Sequence, residues 1–358
     1  MADWKSYDLR PERDPAVEAA IDDVGWYTTP VPRKRLKQLV QRSNAKAARH
    51  FGLWLALLLG SGVLAGLAWP SWWAVPAFLV YGVIYNSADS KWHELSHGTP
   101  FRAFRVNEVL YKLVSLMTLR EPVRWRWSHS RHHTHTILVG HDPEIASPRP
   151  PHIALAILGL WYLRGLWHEL RNIEAISRGH IPAEVASYVP DTQHGEMIRW
   201  SRIFVLFLMA IPAACLLTGS LLPALFVGLP RIYGSFLHYA QAFTQHAGLD
   251  EDILDHRLNA RTVRMNPVFS FLYTNMNYHV EHHMFPMVPF YNLPALHAEI
   301  RHDCPAPYTG LADAYGEIAR TLIRQLKDPS HYARRVLPEG AGGTGAERIL
   351  DTDYRRAA

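Results

Sequence analysis

Three apolar regions interrupt an otherwise polar chain. Residues 51–69 carry no charge, and residues 71–88 follow after only Pro70, ending before Asp89. Each is close to the ~20 residues a helix needs to cross a hydrocarbon core, so the pair predicts a tight helical hairpin that enters and leaves on one side. The third region, 203–230, is flanked by Arg202 and Arg231 and interrupted at Thr218-Gly219-Ser220, with Pro223 just beyond. It predicts a second hairpin, one helix ending near Leu217 and the next running over 221–241. That reading places Arg231 near mid-membrane. A charge there costs roughly 2.5–3.5 kcal/mol on insertion scales, so Arg231 should face a partner or a wet cavity. The other reading is one long span, which would put its flanks on opposite faces.

Charge sets the orientation. Arg33, Lys34, Arg35, Lys37, Arg42, Lys46 and Arg49 precede the first span, while both hairpin tips are uncharged. The positive-inside rule then places the N-terminus, residues 89–202 and the C-terminus in the cytoplasm. The expected fold is an all-α membrane protein with four transmembrane helices in two hairpins. Its expected parts are a cytosolic segment 1–50, a transmembrane and metal-binding domain 51–300, and a cytosolic segment 301–358 with a mobile tail. Segments 107–119 and 153–167 are apolar but short or charge-bearing, as interfacial or buried helices are. Residues 1–25 lack the apolar core of a signal peptide. Gly340 to Gly345 spells GxGxxG, but no strand precedes it, so it is not read as a dinucleotide site.

Composition adds two constraints. The 358 residues include 21 His but only two Cys, Cys215 and Cys304, too few for a disulfide framework or a cysteine-held iron–sulfur cluster. The formal charge of +5 fits basic residues beside anionic lipid better than nucleic-acid binding, since no basic stripe with interleaved aromatics is present.

The histidines fall in three boxes: His93-Glu-Leu-Ser-His97, His129-Ser-Arg-His132-His133 and His279-Val-Glu-His282-His283. Residues three and four apart share a helix face, so each box projects two or three imidazoles to one side. Eight imidazoles exceed what one ion can use, which favours two metals, although imidazole alone does not name the metal. His246 is the preferred ninth ligand over His238. His135, His141 and His238 are read as structural. Metal-bound imidazoles commonly donate their second N–H to a carboxylate, and Asp89 and Asp142 are placed for that role. His93-Glu94-Leu-Ser-His97 is also a literal HExxH, so a zinc-dependent membrane metalloprotease with Glu94 as general base is the rival reading. It would explain one box and leave six histidines over.

HELSH, HSRHH and HVEHH in this order, the third followed by Met284-Phe-Pro286, resemble the membrane fatty acid desaturase-like superfamily of desaturases, hydroxylases and monooxygenases. The resemblance covers roughly residues 50–300. It implies a four-helix transmembrane fold with a cytosolic cap, a di-iron centre held by these histidines, and O2-dependent oxidation of an unactivated C–H bond of a lipid or small organic substrate. The three-residue spacing of the first box matches front-end and hydrocarbon-oxidising members rather than stearoyl-type desaturases. Asp142-Pro-Glu144 and Gln245-His246 resemble bacterial small-molecule oxygenases of the rhizopine-catabolism type. With no cysteine cluster or nucleotide site, electrons should come from a separate ferredoxin, rubredoxin or cytochrome-type donor with its reductase. The expected location is a bacterial inner membrane, with the metal site on its cytoplasmic side.

Overall fold

The computed structural model describes residues 6–10, 14–152 and 161–343; residues 153–160 of the apolar segment 153–167 and the end of the tail lie outside them. Among the described residues the regular elements are helices, with two isolated bridges, Thr262 to Tyr278 and Val263 to Tyr308. The all-α expectation is met.

After α1 (Pro15–Val24) and α2 (Arg33–Leu39), the first long helix is α3 (Asn44–Ala68), started by Ser43, whose hydroxyl accepts from the Lys46 amide. Helix α4 (Ala74–Asn86) returns antiparallel to it and passes through Ser87, itself helical at φ −63 and ψ −12, into α5 (Ala88–Ser96). The second apolar stretch and the first histidine box therefore sit on one nearly continuous rod. Leu59, Val63, Leu64 and Leu67 on α3 and Val75 and Val80 on α4 are exposed. A continuous apolar surface of that kind marks a lipid or protein contact. Trp72 and Trp73, at the tip, are 91% and 77% exposed, as interface anchors are.

Helices α6 (Phe104–Thr118) and α7 (Pro122–Thr134) pack on α5, followed by α8 (Trp161–Ser177) and the long α9 (Asp191–Thr218), which pack together. Among the described residues, Arg33–Ala68 and Asp191–Thr218 are long and apolar enough to cross a membrane. On α6, Asn107, Tyr111, Val114 and Ser115 face inward while Phe104, Val109 and Leu113 stay exposed.

The expected fourth helix over 221–241 is not continuous. Past the left-handed Gly219 (φ 60), the chain forms a π-helical turn Ala224–Gly228, a helical turn Pro230–Tyr233 and then α10 (Phe236–Ala242). Pro223 and Pro230 start the first two turns, because proline lacks the N–H that would continue a preceding helix. The break also lets two backbones meet. A Cβ on Gly234 would lie 2.1 Å from the Gly82 carbonyl carbon, so only glycine fits there. The Asn86 side-chain amide spans the crossing, donating to the carbonyls of Gly82 at 2.8 Å and Pro230 at 2.5 Å. Arg231 has the partner its position demands: Nη1 donates to Asp89 Oδ2 at 2.9 Å and to Asn86 Oδ1 at 3.1 Å.

Candidate metal centre

Three helical segments and one turn bring the boxes together. On α5, His93 lies in the last turn and His97 caps the end, four residues apart and therefore on one face. Helix α7 is begun by Pro122 and by Glu121, whose carboxylate accepts from the amides of Val123 (3.1 Å) and Arg124 (2.6 Å), and it carries His129, His132 and His133. The third box forms α11 (His279–Met284). His246 follows α10, where its Nδ1 faces the Asn259 carbonyl at 2.7 Å.

These nine imidazoles sort into two groups, each of which could hold one metal ion: His93, His97, His129, His133 and His282; and His132, His246, His279 and His283. Within each group the donor atoms lie within 4.8 Å of one another. The inward atoms are Nε2. They stand 2.7 Å apart between His93 and His282, 3.0 Å between His97 and His129, and 3.2 Å between His133 and His129. In the second group the separations are 2.9 Å between His279 and His246 and 3.0 Å between His283 and His279. The groups adjoin through His133 and His283, whose rings stack at 4.3 Å.

For His132, His129, His283 and His246 the outward nitrogen explains why Nε2 faces in. His132 Nδ1 lies 2.9 Å from Asp142 Oδ2, His129 Nδ1 3.3 Å from Glu144 Oε2, and His283 Nδ1 3.2 Å from the Thr136 hydroxyl. With Nδ1–H donated to a carboxylate or carbonyl, the Nε2 lone pair points into the group. Burial, joined by repulsion from neighbouring imidazoles, holds His93, His97, His133, His246, His279, His282 and His283 well below the usual imidazole range. Neutral rings are the form that binds metal. His132 differs. Burial opposes its charge, but the Asp142 carboxylate outweighs burial and raises its pKa.

Asp142 thus lies against a box histidine, and Asp89 does not. Although Asp89 lies one turn from His93, its carboxylate takes Arg231 at 2.9 Å, Arg120 at 3.0 Å and His238 at 3.5 Å. It anchors the broken fourth segment to α5 and touches no box histidine. His238 is occupied there, away from both groups. The sequence reading did not single out Glu144 as the partner of His129. It also missed buried His256, which lies 5.0 Å from the His283 ring; no box spacing flags His256.

Residues 70–314 match the family described as fatty acid desaturase. The chain belongs to the fatty acid desaturase family. Fatty acid desaturase family members are membrane oxidoreductases that use iron and take electrons from a donor, and the two sets of inward-facing imidazoles could bind metal. The chain is 23% identical over 245 residues to an sn-1 linoleoyl-lipid 6-desaturase of Synechocystis sp., covering 59% of this chain and 67% of that protein. It is 24% identical over 291 residues to a sphingolipid delta(4)-desaturase of Drosophila melanogaster, covering 76% and 83%.

The geometry also weighs on the HExxH reading. A zinc protease needs its glutamate beside the metal-bound water. Here Glu94 is buried and turned aside, accepting from the Thr99 hydroxyl and from the Phe290 amide at 3.1 Å.

Proposed function

We propose that this chain is an integral membrane di-iron oxidoreductase that uses O2 to desaturate or hydroxylate a C–H bond of a lipid. The observation that carries the reading is the sorting of nine imidazoles into two adjoining donor groups, five and four rings strong. The ligands proposed for one iron are His93, His97, His129, His133 and His282; those for the other are His132, His246, His279 and His283. Bound there, iron supplies activation of O2, the chemistry that side chains alone lack. Removing two hydrogens consumes one O2, two electrons and two protons and releases two waters; hydroxylation consumes the same and releases one.

The protein's own residues set the geometry. Asp142, Glu144, Thr136 and the Asn259 carbonyl fix four ring orientations through Nδ1. Trp92, buried against His129 at 5.7 Å, keeps water from one side. A cleft between residues 144–147 and 242–251 reaches His132 and His246; Ile137, Ile145 and Phe243 belong to its apolar lining, and Glu144, Ser147, Gln245 and Glu251 to its polar lining. It is the proposed approach for substrate. A lipid substrate is supported by what the two named relatives act on and by the exposed apolar belt on α3 and α4. The same belt, with α9 and the broken fourth segment, supports four membrane crossings in two hairpins with the histidine groups in a cytosolic cap. That topology suits a bacterial inner membrane. The electrons come from a separate carrier with its reductase.

Product analysis by mass spectrometry tests this, using cells expressing the protein under labelled O2. New double bonds without label indicate desaturation, and labelled hydroxyls indicate hydroxylation. Absence of either across the cell's lipids and added small metabolites would refute the activity.

A further inference from the structure

The electrons that this reaction consumes must cross from the surface to histidines packed inside the protein. One run of aromatic rings makes that crossing. Trp26, half-buried after α1, lies flat on His256, with ring centroids 4.1 Å apart and planes within 2°. His256 meets His283 at 5.0 Å and 40°, and His283 lies on His133 at 4.3 Å and 23°. His283 belongs to one donor group and His133 to the other, so a single column reaches both.

The local chain holds this column in place. Gly25, at φ +66, turns the backbone out of α1, and the Tyr27 amide donates to the Leu254 carbonyl at 2.9 Å. Trp26 Nε1 donates to the Thr134 carbonyl at 3.0 Å, at the exposed end of α7. His256 opens the helical turn His256–Asn259, which Asp255 caps by accepting from the Arg257 amide at 3.0 Å.

We propose that Trp26 and His256 form the electron-entry route, taking electrons from a one-electron carrier protein docked over Trp26 and delivering them through His283 and His133. No covalent bond changes in the route. The carrier is oxidised by one electron per encounter, and two encounters provide the two electrons the reaction needs. The inference rests on the oxidoreductase reading above. The other aromatic path, Trp125 to Trp92 to His129, is poorer. Its rings meet edge-on at 5.8 Å (88°) and 5.7 Å (61°), and parallel faces overlap more than perpendicular ones. Trp125, half-buried like Trp26, is flanked by two cations, Arg120 and Arg124 at 4.0 and 4.8 Å from its ring, and its Nε1 donates to Glu169 at 2.9 Å.

The test uses full-length iron-loaded protein in stopped-flow reduction, following the iron absorbance rather than turnover. Reductants are dithionite and, as the carrier, whichever of a reduced ferredoxin, rubredoxin or soluble cytochrome b5 reduces the wild type fastest. Trp26→Leu should slow reduction at saturating carrier on the order of tenfold or more. Trp26→Phe should stay near wild type, and dithionite reduction and iron content should not change. Should Trp26→Leu fail to fold, Trp26→Met, which fills the space without a π-system, is read on the same criteria. An unchanged carrier rate overturns the route, as does a loss that excess carrier restores, since that would mean docking alone. An equal loss with dithionite, or loss in Trp125→Leu instead of Trp26→Leu, overturns it too, as does a wild type reducible by dithionite but by no carrier. A wild type that holds no iron, or forms no product when chemically reduced, would sink the oxidoreductase reading itself.

Discussion

Replacing Asp89 by Leu keeps a side chain of similar size and removes the carboxylate that Arg231 and Arg120 share. Arg231 has 5% of its side chain exposed and loses an ion pair of 2.9 Å, with the neutral Asn86 oxygen among the partners it keeps. Stranding one member of a buried pair costs about 3–5 kcal/mol, because the remaining charge stays desolvated. Arg120 adds less. It is 20% exposed and keeps its stacking on Trp92 and Trp125 at 4.5 and 4.0 Å. At ~2 °C per kcal/mol for a chain of this size, the melting temperature should fall by about 6–10 °C. The assay is thermal unfolding in detergent, with iron measured on the folded fraction. Iron per folded chain should match wild type, because Asp89 touches no box histidine. Asp89→Leu with Arg231→Met should recover much of the loss, the non-additivity expected of groups in contact. A shift under about 1 °C would refute the ion-pair reasoning. Iron loss without a melting shift would instead restore Asp89 to the metal-supporting role its spacing suggested.

Two further perturbations are as direct. Glu94→Gln keeps an acceptor for Thr99 and the Phe290 amide, so iron content and oxidised product should persist; proteolysis that Glu94→Gln abolishes would instead favour the zinc reading. Burial pushes Glu121 up from the ordinary 4.5 to about 7, with the amides of Arg124 and Val123 opposing it. The folded state then binds more protons than the unfolded one between those values, so stability falls as pH rises through that window and levels off above it. Glu121→Gln keeps one of the two cap acceptors and loses the other at any pH, so its melting temperature relative to wild type should rise between pH 5 and pH 8. An equal difference at both pH values would contradict the assignment.

Periodicity was enough to read the boxes, because i, i+3 and i+4 spacing leaves those imidazoles one side of a helix to share. The demand that Arg231 find a partner was legible for the same kind of reason, the cost of a lone charge in an apolar stretch. The continuity of the fourth segment was misread. Pro223 signalled a break and Pro230 was not read as one, and the crossing that uses both depends on Gly82 and Gly234 meeting from distant parts of the chain. Asp89 misled because helical spacing fixes a face and not a partner; two arginines outside its own helix claim it. His238 and His246 stand only eight residues apart, and what separates them is the turn after α10, which returns His246 to the Asn259 carbonyl. His256 carries no local signature, and Glu144, though it stands beside the second box in Asp142-Pro-Glu144, has a partner that spacing alone does not name. Their neighbours come from tertiary packing.

The ratio of iron to protein in purified, iron-reconstituted chain tests the central claim most directly. Two donor groups predict two irons per folded chain, with His282→Ala and His246→Ala each lowering the ratio. One iron per chain, a preference for zinc, or full iron in both variants would contradict it.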